Sequence, residues 1–166
     1  VNAGVRLDHF IFSYHDRLTG QNATVNKSIV SPKIKFEYFA NPNTTFFVRS
    51  GFGFHSNDTR VVIAQNGREI LPKAFGVDVG TITKITPRLI ANLATWMLDL
   101  EQEFVFVGDE GIVEPGGRTR RMGTDLSVRY QLNEWLFADG DLNVTYARSK
   151  GDPVKQNYLP LAPLVS

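Results

Sequence analysis

Between Lys33 and Phe39 the chain reads KIKFEYF, with Ile34, Phe36 and Tyr38 on one side and Lys33, Lys35 and Glu37 on the other. A repeat of two is the repeat of an extended strand, whose successive side chains point to opposite faces. The same alternation returns along the chain. Phe46, Val48, Phe52 and Phe54 oppose Arg49, Gly51, Gly53 and His55, and Phe75, Val77 and Val79 oppose Gly76, Asp78, Gly80 and Lys84. Leu126, Val128, Tyr130 and Leu132 oppose Asp125, Ser127, Arg129 and Gln131. Leu136, Ala138, Leu142, Val144 and Tyr146 oppose Asp139, Asp141, Asn143 and Thr145. Stripes at i, i+3, i+4, i+7 are hard to find, so the chain reads as all-β, its strands carrying one apolar and one wet face.

Two further strands change phase. From Arg88 to Val107 the apolar set begins on Leu89, Ala91 and Leu93 and moves to Trp96, Leu98 and Leu100, facing Asp99, Glu101 and Glu103. A bulge near Ala94 is the expected cause. The first strand, Asn2 to Tyr14, shifts likewise, from Val5 and Leu7 to Phe10, Phe12 and Tyr14. Seven strands follow, and LAPLVS at the end starts an eighth.

The connections narrow the architecture. Ala40–Thr44, Thr86–Arg88 and Asn133–Trp135 are short and turn-like, whereas Asp16–Lys27, Ser56–Lys73, Gly108–Thr119 and Ser149 to about Pro160 are long and polar. Short and long alternate, as in an up-and-down transmembrane β-barrel, where antiparallel strands put every second connection on the same side. The tight turns recur at 45 and then 46 residues, from Pro42 to Pro87 to Asn133. That period also suits a propeller blade, but a blade holds four short strands and a repeated signature. Here each period holds two strands long enough to cross ~25 Å when tilted. A soluble sandwich or lipocalin-like barrel shares the alternation and stays open as an alternative. Trp135, Phe39, Phe46 and Phe47, beside short turns, sit where an interfacial aromatic belt belongs.

Composition removes other classes. The 166 residues, 42% hydrophobic and 21% charged, suit one folded domain. A net charge of +1 gives no field for nucleic acid. Without cysteine there are no disulfides and no thiolate metal site. The Asn-x-Ser/Thr triplets at Asn22, Asn26, Asn43, Asn57 and Asn143 read as chance in an Asn- and Thr-rich chain. No signal peptide is recognised, and no apolar run reaches the ~20 residues of a membrane helix.

No enzyme motif stands out, and no catalytic residue, metal ligand set or cofactor is expected. His9, His15 and His55 lie 6 and 40 residues apart, outside any metal-binding spacing. No G-x-S-x-G elbow occurs. Asp99, Glu101 and Glu103, like Asp139 and Asp141, share a strand face and suit the lining of a watery lumen. Gly51-x-Gly53-x-x-Ser56 approaches a dinucleotide fingerprint, but Asn57, Asp58, Asn66 and Gly67 break the helix that would have to follow. Its glycines are then the wet side of a strand end.

Taken in order, SPKIKFEYFANPNTTFFVR, GFGFHSNDTR, LPKAFGVDVGTITKITPRLIANLATWMLDLEQEFVFVGDEG and RTRRMGTDLSVRYQLNEWLFADGDLNVTYARSKGD resemble the barrel of a TonB-dependent outer-membrane receptor. The resemblance spans nearly the whole chain. It implies a 22-stranded barrel of which about 7–8 strands are present, with residues 1–166 one barrel segment and no plug domain. It further implies the outer membrane of a Gram-negative bacterium, active uptake of siderophores or similar scarce nutrients, and outer-membrane lipid, a plug domain, TonB and a small metal chelate as partners. His55, Asn57, Asp58 and Arg60, at the start of the longest loop, are the candidate ligand contacts. Arg118, Arg120 and Arg121, where a strand leaves an outward loop, are candidates for lipopolysaccharide phosphate or another anion. A complete eight-stranded barrel with a structural or adhesion role and a soluble ligand-binding barrel are the alternatives.

Overall fold

The computed structural model describes the chain apart from residues 16, 18, 19, 21, 56–69, 103, 108–111, 116, 154–156, 160–163 and 166. Nine strands follow in order: β1 (Asn2–His15), β2 (Asn22–Asn41), β3 (Thr44–Phe54), β4 (Lys73–Thr86), β5 (Leu89–Leu100), β6 (Phe104–Val107), β7 (Ile112–Pro115), β8 (Arg118–Gln131) and β9 (Phe137–Lys150). No helix occurs among the described residues. Seven strands form one antiparallel sheet in the order β1-β2-β3-β4-β5-β8-β9, and β6 and β7 form a separate hairpin. Each strand of the large sheet therefore lies beside its sequence neighbour, the β6–β7 hairpin excepted, which is the up-and-down order expected from the alternating connections.

All three expected tight turns are present, and each is fixed by a side-chain oxygen. The Asn43 N–H donates to Asn41 Oδ1 at 2.9 Å, and the Arg88 N–H to Thr86 Oγ1 at 3.2 Å. Asn133 Oδ1 accepts from the N–H groups of Trp135 and Leu136 at 3.1 and 2.8 Å. Asn and Thr suit such turns because their short side chains replace a backbone acceptor at little entropic cost.

Three expectations about strand extent are corrected. Residues Asn22 to Lys27, read as loop, belong to β2, whose His15↔Asn22 and Tyr14↔Ala23 pairs close the hairpin. The ladder runs through Ala94 without a break, opposite both Gly80 and Asp125, so no bulge lies there. And β5 stops at Leu100: Phe104–Val107 pairs with Ile112–Pro115 instead of extending it. At the far edge most of LAPLVS lies outside the described residues; among the described ones Arg148↔Tyr158 and Val144↔Val165 bridge onto β9, with the Thr145 N–H donating to Leu164 O at 2.9 Å.

Because cross-strand partners share a face, the registers sort the strand residues, except at the end of β3, where the Phe54 ring packs against Phe10 and the Ile29–Ile70–Leu71 cluster. One face carries the rows Phe36–Val48–Val79–Thr95–Thr124–Val144 and Tyr38–Phe46–Thr81–Leu93–Leu126–Leu142. Val5, Leu7 and Ile11 continue it on β1, and most of its large apolar side chains are exposed. The other face carries Lys35–Arg49–Asp78–Trp96–Gly123–Thr145 and Glu37–Phe47–Gly80–Ala94–Asp125–Asn143. Thus an apolar wall backs a polar one. Phe47, expected in the aromatic belt, lies on the polar face and is only 2% exposed, and by alternation Phe39 lies on the Glu37 face. Tyr38, Phe46 and Tyr130 hold the apolar face near the tight turns.

Candidate functional site

The polar wall is built by alternation and hollowed by glycine. Lys33, Lys35, Arg49, Gly51, Gly76, Asp78, Trp96 and Leu98 line a cavity of about 670 Å³. Gly51 and Gly76 place no side chain there, and a Cβ at Gly51 would come 3.1 Å from Lys33 Cβ. The charges are partly matched. Lys35 Nζ lies 2.7 Å from Glu37 Oε1, and Arg49 Nη1 lies 3.4 Å from Asp78 Oδ2. The Arg49 guanidinium also sits 4.0 Å from the Phe47 ring centroid, which orients it along the wall. Two carboxylates against Lys33, Lys35 and Arg49 leave a cationic surplus, with the broad Trp96 side chain beside it. The exposed ion pairs themselves add little stability.

The phase changes follow from this wall. Trp96, Leu98 and Leu100 lie on the polar face, whereas Leu89, Ala91, Leu93, Met97 and Asp99 lie on the other. Asp99 therefore does not share the polar face as expected but lies with Arg120 on the face of Met97, whereas Asp139 and Asp141 do share the polar face; Glu101 follows the end of β5. The apolar pattern switches face because the outward surface turns polar near the strand ends, not because the strand is bulged. In β1, Phe10 and Phe12 stay on the Arg6 and Asp8 face, where with Val25 they pack against Ile29, Ile70 and Leu71.

His55 stands at the base of the longest connection. Its backbone N–H donates to Pro72 O at 3.4 Å, and its Nε2 meets Gln102 O at 3.1 Å. The Lys73 N–H donates to Glu101 Oε2 at 2.9 Å, and the Glu101 N–H to Lys73 O at 2.9 Å. These bonds tie the roots of two long connections together, over the buried Ile70, Leu71 and Gln102. Of the other candidate ligand contacts, Asn57, Asp58 and Arg60 lie outside the described residues. The three arginines separate: Arg118 and Arg120 share the outward face with Lys150 and Arg148, while Arg121, opposite Leu98 and Ala147, belongs to the inner face. Among the described residues no group of three His, Asp or Glu side chains is placed to hold a metal. His9 and His15 instead pair locally with Ser28 and Asn22.

Sequence reasoning missed the Lys33, Lys35, Arg49 and Trp96 constellation. Its members come from three strands, and only register brings them together. Trp96 carried one signal: it falls out of phase with Leu93, on the face of Asn92.

Over residues 1–165 the sequence matches the family described as "TonB dependent receptor-like, beta-barrel". Among solved structures, the ferric citrate transporter FecA in its unliganded form superposes with a TM-score of 0.72 at 17% identity, over 89% of this chain and 23% of that one. The ferric-catecholate import receptor Fiu from E. coli K12 gives 0.67 at 19% identity, over 99% and 28%. The copper transporter OprC gives 0.62 at 16%, over 89% and 26%. The chain thus spans about a quarter of the length of each. No curated protein sequence matches.

Proposed function

This chain belongs to the TonB-dependent receptor-like β-barrel family, and we propose that it forms wall of a Gram-negative outer-membrane transporter for metal chelates such as siderophores. The observation that carries this reading is the pair of faces. Outward rows from Leu89–Tyr130 to Met97–Met122–Tyr146 are dominated by apolar and Thr side chains. Eight residue steps at ~3.4 Å, tilted ~40°, give about 21 Å, close to the ~25 Å apolar band of such barrels. The inward face is charged over the same height. A soluble barrel would place its charges outside, and a closed eight-stranded barrel would pair its first strand with its last, whereas β1 and β9 are the two edges of this sheet.

The cavity beneath Lys33, Lys35 and Arg49 favours an anionic cargo, as metal chelates built on carboxylate or catecholate oxygens are. In the proposed mechanism the cargo meets the long connections near His55, Asn57, Asp58 and Arg60 and then passes the cationic wall. A plug domain gates that path, and TonB pulls it open with energy from the inner membrane. This chain's part is to hold the passage wet and weakly attractive.

The test is uptake of radiolabelled ferric chelates by the host strain, with the gene deleted and then restored. Loss of uptake on deletion, its return with the gene, and its dependence on TonB are expected. Undiminished uptake of ferric chelates, copper and cobalamin in the deletion strain would overturn the reading.

A further inference from the structure

Four glycines, Gly51, Gly53, Gly76 and Gly80, lie on the polar face of β3 and β4, and packing accounts for two of them. A Cβ at Gly80 would stand 2.4 Å from Leu93 O, and one at Gly51 would stand 3.1 Å from Lys33 Cβ and 3.3 Å from Pro32 O. Gly53 and Gly76 differ. A Cβ at Gly53 would have nothing within 4 Å, and one at Gly76 would touch Leu98 Cδ1 at an ordinary 3.8 Å. The left-handed backbone that favours glycine occurs at Gly20 and Gly151 and at neither of these. Glycine weakens the interior of a strand, so two positions that would accept a side chain and carry none keep the backbone clear for a ligand.

The two positions adjoin. Gly51 pairs with Gly76 and Gly53 with Ala74, which makes a floor of nearly bare backbone two residues long and two strands wide. At ~3.4 Å per residue and ~4.8 Å between strands it measures about 7 by 5 Å, the footprint of one six-membered ring. Lys33 borders both the cavity that reaches Gly51 and Gly76 and a second recess of about 640 Å³, lined by Phe10, Ser31, Gly53, Phe54 and His55 among others. Phe10 and Phe54 meet edge to face there, with centroids 5.6 Å apart and planes at 79°, and stand as an apolar wall beside the floor. Ser31 is only 9% exposed, yet its Oγ has no hydrogen-bond partner among the described residues. A buried hydroxyl left in that state is costly unless a ligand takes it up. Arg6, on the same recess, is held by Asp8 Oδ1 through Nε and Nη2 at 2.9 and 2.7 Å. Among the described residues no ion pair takes up Lys33, and no carboxylate lines the recess.

We infer that Gly53 and Gly76 are specificity-determining residues, holding open a floor on which one flat aromatic ring lies while its oxyanions meet the Ser31 hydroxyl and the Lys33 ammonium. Ser31 and Lys33, two residues apart on one strand face, are about 7 Å from each other and reach the same ring from one side. A ring contacts bare backbone over its whole area, whereas a tetrahedral carbon holds its substituents off the floor and forfeits that dispersion. The site therefore selects a chelate built on aromatic hydroxyl oxygens over one built on aliphatic carboxylates or hydroxamates.

The inference rests on the metal-chelate reading and adds to it which chelate is preferred. The test is equilibrium dialysis of the full-length protein, purified in detergent, against the radiolabelled iron(III) complexes of 2,3-dihydroxybenzoate, citrate and acetohydroxamate. The dihydroxybenzoate complex is expected to bind about tenfold more tightly than the other two. Gly53→Leu and Gly76→Leu, which fill the floor, should weaken that complex about tenfold and leave the other two unchanged. Ser31→Ala should weaken it about threefold while the urea midpoint holds or rises, because the hydroxyl removed has no partner in the wall. Equal affinity for the three complexes, or a preference for citrate or acetohydroxamate, overturns the inference and leaves the metal-chelate reading standing. So does an equal loss of all three in the leucine variants, or unchanged affinity in leucine variants that still migrate as heat-modifiable barrels. Binding of none of the three overturns the metal-chelate reading and the inference with it. The comparison of complexes on the unaltered protein decides the matter if the leucine variants do not fold.

Discussion

Phe47 covers Gly80 directly across the β3–β4 ladder: a Cβ on that glycine would stand 2.6 Å from Phe47 Cζ. Two ladders further round the wall, across β5–β8, Trp96 does the same to Gly123, where a Cβ would meet Trp96 Cζ2 at 2.6 Å. In both pairs a large inner-face ring occupies the space that its cross-strand partner leaves, which fixes the ring and shields the bare backbone.

Gly80→Ala should therefore destabilise the barrel by about 1–3 kcal/mol through overpacking. The new methyl would also press on Leu93 O at 2.4 Å and Ala94 Cα at 3.0 Å. Phe47→Ala in the same chain should relieve only part of that, because the backbone contacts remain. Gly140→Ala, with nothing within 4 Å of its Cβ, is the control and should be neutral. Urea unfolding followed by heat-modifiable gel migration reads all three, and equal stability of the Gly80 and Gly140 variants would refute the packing argument.

Depth along the outward face sets a second expectation. Val79 lies one row from the middle of the apolar band, whereas Ile85 lies at the register shift between Lys84 and Thr86, beside the turn, and both are exposed. Val79→Arg should cost about 2–4 kcal/mol and Ile85→Arg about 0–1. Folding yield into lipid vesicles measures the difference. The same penalty at both positions would mean that the face does not meet hydrocarbon.

Turn chemistry gives a third. Asn133→Ala removes the acceptor of two backbone N–H groups at the β8–β9 turn. A loss of about 1 kcal/mol is expected, because the turn is exposed and water replaces part of each bond. Asn133→Asp, which keeps the acceptor oxygen, should restore most of it in the same unfolding experiment.

His55 provides a fourth. Replacing it by Ala deletes the Nε2 contact with Gln102 O and leaves the backbone bond to Pro72 O intact. Limited trypsin digestion within residues 56–73 should speed up several-fold, while the thermal midpoint of the barrel moves little, since the root of a surface connection opens locally. A large fall in the midpoint with unchanged proteolysis would show that His55 supports the sheet rather than the loop base.

Much of the wall was readable before any coordinates. Strict alternation in Lys33–Phe39, Ala74–Lys84 and Asp125–Leu132 gave both the strands and their faces, since a two-sided environment enforces period two. The Asn and Pro turns at 42, 87 and 133 gave the order of pairing. The pattern failed where the environment changes along a strand. Leu93 and Trp96 face opposite ways without a bulge, because one face of the sheet is apolar and the rings of the other fill the gaps over its glycines. Polar Asn22–Lys27 looked like loop for a related reason: at this end of β2 most side chains are exposed and nothing demands alternation. Of the candidate contacts, spacing found the loop base at His55. It set Arg121 beside Arg120, although neighbours in a strand point apart. Lys33, Arg49 and Trp96 met only through register, which no single stretch encodes.

The β6–β7 hairpin is bonded to itself and stands outside the seven-stranded sheet, while β5 passes directly to β8 in the ladder. Phe104–Val107 and Ile112–Pro115 are thus bonded to each other and not into the wall, while Glu101 and Gln102 before them stay tied to Lys73 and His55. A change in the length of this hairpin therefore alters none of the pairings of the seven-stranded sheet, so the two can vary independently.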